Sequence, residues 1–158
     1  LNYHFSSKDD LWRAAVDWVF AELTSRLEAR VDGLRGVDDV TTAKLVIREF
    51  IAFSAQRPQL HRLIAQESKR DGPRIDWMVD AHIRPLFETT TAMFERLVAA
   101  GAVPALPPLH LYYVLTGAGP TIFQLAPGFR RLTGLDPDQP EVVRAHADTV
   151  ITLLFGEP

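Results

Sequence analysis

Cysteine is absent from the chain, which excludes a disulfide framework and a thiolate metal site and fits a reducing cytoplasm, the expected location. A basic excess is missing too. Lys and Arg number 17 against 20 Asp and Glu, a formal charge of −3, so this stretch does not hold nucleic acid by bulk charge. No apolar run approaches the ~20 residues that span a bilayer, and no secretory leader is visible, so a membrane is not an expected partner. There is no G-x-S-x-G and no glycine-rich phosphate loop after a strand, and enzymatic activity is not expected. His61, Glu67, His82 and His110 fall on separate segments with no H-x-x-x-H pair, so neither a metal nor another cofactor is expected. Strict alternation of apolar and polar residues never runs long enough to argue for a sheet.

What is present argues for helices around one core. Hydrophobic residues make up 47% of 158 positions, enough for a single domain with a packed interior. Proline and glycine divide the chain into about six helical segments. Ser7, with Asp10 three residues on, forms a capping-box start for a first helix that Gly33 and Gly36 end. Its apolar positions fall in two adjoining stripes, one through Leu11 and Trp18 and one through Val16, Val19 and Leu23, which predicts contact on two sides. A second helix is predicted from about Val40 to Gln56, and Pro58 opens a short third. A long fourth, from about Arg74 to Ala100, contains Pro85, whose missing N–H and bulky ring predict a kink near Asp80 and Ala81. After a proline-rich loop at 101–108, a fifth covers about Leu109 to Leu125, with small residues near Gly117 and a proline, Pro120, inside it. Pro127 and Gly128 read as a turn into an exposed stretch. Asp138 with Glu141 reads as the cap of a last helix that buries Val142, Val143, His146, Val150, Leu153 and Leu154.

The opening string, Leu1-Asn2-Tyr3-His4-Phe5-Ser6-Ser7-Lys8-Asp9-Asp10-Leu11, carries the functional signal. It resembles the end of the helix-turn-helix in TetR-family transcriptional regulators, where an aromatic-His-Phe segment closes the recognition helix. A Ser-Lys-acidic-acidic-Leu start then leads into a long linking helix. Asn2 departs from the pattern, since many relatives carry an aromatic there. The residue types suit contact with a nucleic-acid backbone. Tyr3 and His4 offer hydrogen bonds to phosphate, and Lys8 sets a charge beside the free N–H groups of a helix start. Asn2, Tyr3, His4 and Lys8 are therefore the candidate contacts to DNA phosphates. The chain opens on Leu1 in mid-pattern, which points to further sequence upstream.

The resemblance implies a division into residues 1–6, the end of a DNA-reading head, and residues 7–158, a ligand-binding and dimerising body. The implied fold is an all-α, TetR-like helical bundle whose last two long helices pair with a second copy in a four-helix interface. The implied function is a homodimeric repressor that leaves a double-stranded DNA operator when a small molecule binds. For the dimer seam, the candidate faces carry Tyr112, Thr116, Ala118 and Phe123 on one helix and Val143, His146, Val150 and Leu154 on the other. For the effector, inward stripes bearing aromatic and polar groups point to Phe50, Phe53, Gln66, Glu67, Trp77, His82, Phe87 and Tyr113, a lining suited to a small apolar or aromatic molecule. Each also has a plainer reading: the phenylalanines as core, His82 as a satisfied interior or interface histidine, and Glu67 as the partner of Arg62 or Arg70. A helical small-molecule-binding module or enzyme that never touches DNA is the alternative.

Overall fold

The computed structural model describes residues 4–156, and among these every regular element is helical. Helix α1 spans Lys8–Asp32, α2 Asp39–Gln56, α3 Pro58–Glu67 and α4 Pro73–Met78. A π-helical turn, Val79–Ile83, then runs straight into α5, Arg84–Ala99. Helices α6 (Pro108–Gln124), α7 (Ala126–Thr133) and α8 (Pro140–Phe155) complete the chain.

The local chemistry of the helix starts is legible. The Ser7 hydroxyl accepts from the Asp10 backbone N–H at 3.1 Å and donates to the Asp10 carboxylate at 2.9 Å, closing the N-terminus of α1 in both directions. Hydrogen bonds from Ser6 and Ser7 hold the Asp10 carboxyl below the usual carboxylate range. Asp38 caps α2 in the same manner, accepting from the Thr41 N–H at 2.9 Å. Elsewhere proline marks the start: Pro58, Pro73, Pro108 and Pro140 each open a helix, where a missing N–H leaves nothing unpaired.

The kink expected from Pro85 takes the form of the π turn. The Arg84 N–H reaches back five residues to the Val79 carbonyl, widening the turn just ahead of the proline ring. Other expectations need correction. The stretch after Pro127 and Gly128 is helix α7, because a proline in the first turn starts a helix as readily as it ends one. Helix α8 is capped at Gln139 with no side-chain bond, since Pro140 fixes the first helical position and leaves Asp138 one residue too early. Its buried face is Ala147, Val150, Ile151 and Leu154, while Leu153 is exposed. The two-sided contact expected of α1 is likewise one-sided among the described residues: Val16, Phe20 and Leu23 are buried, whereas Leu11 and Trp18 are exposed.

Helix α2 runs through the middle and packs on α1, α3, α5, α6 and α8. Two apolar clusters lie on either side of it. One joins Ala43, Ile47 and Ile51 of α2 to Phe94 and Leu97 of α5, Leu111, Leu115 and Phe123 of α6, and Val150 and Leu154 of α8. The other joins Val16, Phe20 and Leu23 of α1 to Phe53, Leu60 and Met78. Phe50 touches both.

Candidate functional site

At the start of α1, His4 and Lys8 are exposed, while Asn2 and Tyr3 lie outside the described residues. Asp9 in the same turn is drawn to the body by Arg74, 2.5 Å away at the start of α4. That guanidinium also lies 4.7 Å from the Trp12 ring centre. The first turn of α1 is thereby fixed to the first turn of α4.

One turn further along, the joint between α1 and the π turn is aromatic. Trp12 and Trp77 lie 5.6 Å apart, Trp77 meets His82 edge to face at 5.3 Å, and His82 stacks flat on Phe20 at 4.6 Å. The His82 Nε2 stands 2.6 Å from the Asp17 carboxylate. The widened turn places His82 against α1, where it contacts both Asp17 and Phe20. Trp77 and His82, both candidate pocket residues, are thus brought together. Glu67, also a candidate, sits 3.8 Å from Arg74, the guanidinium that lies over Trp12. Gln66 is exposed.

A second polar point lies beneath Phe50. The fully buried Ser54 hydroxyl lies 2.8 Å from the Phe50 carbonyl and 2.9 Å from His61 Nε2. Burial pushes the His61 pKa down to about 4, so the ring is neutral. Phe50 packs its edge on the same imidazole at 5.6 Å. Phe53 is wholly buried against α1 and α3. Phe87 reaches the other end of the body, edge to face with Tyr112 at 4.9 Å, and Tyr113 beyond it is exposed. The candidate pocket residues therefore divide among three places. His61, Trp12 and Phe20, absent from the candidate pocket residues, belong to two of these groups. An i, i+7 spacing from Ser54 across Pro58 is the one signal that pairs His61 with α2.

Two open clefts mark the surface. One, of about 370 Å³, is lined by Arg26, Ala29, Arg30, Gly33, Leu34 and Glu49. Burial would raise the Glu49 pKa, but hydrogen bonds from Arg26 at 2.7 Å and Arg30 at 3.0 Å outweigh it and hold the carboxyl ionised. The other, of about 310 Å³, lies between α3, α6 and α7 over Pro58, Phe123 and Ala126. Arg62 at its edge donates to the main-chain carbonyls of Phe123 and Gln124, tying down the end of α6.

On α6 and α8 the eight seam candidates separate by burial. Phe123, Val150 and Leu154 fill the chain's own core. Tyr112, Thr116, Val143 and His146 are half-buried, and Ala118 is exposed. His146 Nε2 lies 3.0 Å from the Ala118 carbonyl and 3.1 Å from that of Gly119, so its N–H bridges α8 to α6 within the chain. Around these residues Leu109, Tyr113, Val114 and Leu153 leave apolar groups in solvent.

A protein-family model described as "YcdC-like protein, C-terminal region" matches residues 23–156, most of the body. A search of curated proteins returns no match.

Proposed function

Because the chain belongs to the TetR family of transcriptional regulators, we propose that it is the sensing and dimerising body of a DNA-binding repressor that a small molecule releases from its operator. The observation that carries this reading is the family match over residues 23–156, which covers α2 to α8 and most of the buried core. The opening string through Leu11 agrees with it. In this reading residues 1–6 close the recognition helix, and Asn2, Tyr3, His4 and Lys8 grip phosphates on either side of the groove. Residues 7–158 form the body. The partner surface is the open apolar face of α6 and α8, on which Tyr112, Thr116, Ala118, Val143 and His146 border Leu109, Tyr113 and Leu153. No helix among the described residues is long and apolar enough to cross a membrane.

The proposed switch is a population shift. An apolar or aromatic effector, lodged among residues such as Phe50, Trp77 and His82, favours one setting of the π turn. Trp12, Phe20 and Asp17 pass that setting to α1, which moves the attached head. Two heads whose separation no longer fits half-sites one helical turn apart lose the operator.

The test uses the full-length protein, with any residues that precede Leu1, and duplex DNA from its own upstream region. Binding is expected to weaken steeply and linearly with the logarithm of salt concentration. Apolar or aromatic compounds that raise the thermal midpoint are expected to weaken it further. Absence of salt-dependent DNA binding supports instead a helical small-molecule-binding module that does not act on DNA.

A further inference from the structure

The cleft between α3, α6 and α7 is built of parts that hold still. Its floor is Phe123, Ala126 and Pro137, all buried. Proline stiffens its walls: Pro58 opens α3, and Pro127 lies in the first turn of α7. The far side is tied down as well. Gly134 ends α7 in the left-handed region at φ 72°, and the Thr133 hydroxyl donates to the Phe129 carbonyl at 2.8 Å and accepts from the Leu135 N–H at 3.1 Å. At about 310 Å³ the hollow is within the size range of small-molecule sites, and it exists without rearrangement.

Three charged groups stand on its rim, and two of them are unmatched. Arg130 is paired with Asp136. Arg62 donates through Nε to the Gln124 carbonyl at 3.0 Å and through one terminal nitrogen to that of Phe123 at 3.4 Å. Its other terminal nitrogen has no partner among the described residues, and no carboxylate there pairs with it. Glu67, a partner the sequence suggests for Arg62, lies against Arg74 instead. Asp138 is likewise in no ion pair among the described residues, caps no helix, and acts on Arg130 only at longer range. A guanidinium and a carboxylate thus border one apolar hollow without meeting across it.

We propose that this cleft binds a small zwitterion with an apolar body, the chemistry of a free aliphatic or aromatic amino acid. The ligand's carboxylate takes the open nitrogen of Arg62, its ammonium takes Asp138, and its side chain lies against Phe123 and Pro58. A simple carboxylate leaves Asp138 unmatched and a simple amine leaves Arg62 unmatched, so both ends are selected for. None of the residues that the sequence proposes for an effector lines this cleft, which is therefore a second site, apart from Trp77 and His82 at the α1 joint. Such a site requires neither DNA nor a second copy of the chain. Its occupant would brace the end of α6, already held by Arg62, against α3 and α7.

The test is calorimetric titration of the full-length chain with L-phenylalanine and L-leucine. Hydrocinnamate, phenethylamine and glycine run beside them, each lacking the ammonium, the carboxylate or the apolar body. At least one of the two amino acids is expected to bind at millimolar concentration or below, and each truncated compound about tenfold more weakly or worse. Asp138→Asn should weaken the amino acid about tenfold and leave hydrocinnamate unchanged, whereas Arg62→Gln should weaken both. Thermal midpoints check that the variants fold, and if Arg62→Gln does not, Asp138→Asn decides alone. Failure of both amino acids to bind would overturn the proposal. So would hydrocinnamate binding as tightly as L-phenylalanine, or an affinity that Asp138→Asn leaves unchanged. Either result leaves the DNA-binding reading to its own salt-dependence test.

Discussion

His82 and Asp17 meet across the joint between the π turn and α1, with Nε2 2.6 Å from the carboxylate. The same imidazole lies flat on Phe20, at an interplanar angle of 5°. One side chain thus joins a polar and an apolar contact between two elements 65 residues apart in sequence. In a double-mutant cycle of His82→Ala and Asp17→Ala, read from urea unfolding, a coupling of about 0.5–1.5 kcal/mol is expected, the usual net value of one hydrogen bond. Additive effects would show that the two residues act independently.

His61 gives the fold a pH dependence. Its pKa falls from 6.5 to about 4 because burial disfavours the charged ring. Between those values the unfolded chain binds the proton and the folded chain does not. Stability therefore declines as pH drops below 6.5, and the decline levels off near 4, amounting to about 3 kcal/mol at most. The apolar variant His61→Leu should flatten this part of the stability–pH curve. A curve with the same slope in variant and parent would contradict the assignment.

Gly119 faces Phe50 so closely that an added Cβ would lie 3.3 Å from the ring and 3.5 Å from Ile51. Alanine needs the half-buried Phe50 ring to shift by a few tenths of an ångström. Leucine needs far more, and Gly119→Leu is expected to lose about 1–3 kcal/mol or more by overpacking. Thermal unfolding of the two variants should rank them in that order.

Phe53 is wholly buried between α1, α3 and α4. Truncation to alanine leaves a cavity there and is expected to destabilise by about 3–5 kcal/mol in denaturant titration.

Ser7 closes the start of α1 through Asp10. Ser7→Ala should cost about 1 kcal/mol, with faster amide exchange confined to the first turn. Protection unchanged at those amides would show that the cap does not hold the turn.

Much of this architecture can be read from residue order. Ser7 and Asp10, Pro58, and Pro85 act locally, and each sets a start or a break within a few residues of itself. The misreadings share a cause. Pro127 and Gly128 suggest a turn because both interrupt helices, yet in a first turn proline is an asset. Asp138 has the chemistry of a cap, but Pro140 claims the opening position. The candidate site is less legible, because its pairs are distant in sequence. Nothing near Asp17 announces His82, and no helical period places Trp12 against Trp77. Periodicity tells which face of α8 is apolar, but it does not separate Val150, buried by the chain itself, from Leu153, left outside. That distinction depends on where neighbouring helices stop.

Phe50 borders both apolar clusters, and among the described residues no other is shared between them. The end of the body built on α1 and the end built on α6 and α8 therefore have one ring as a common wall. Loosening either end frees that wall for the other, so the bundle should melt in a single step. A molecule that steadies one end would by the same route stiffen the opposite one.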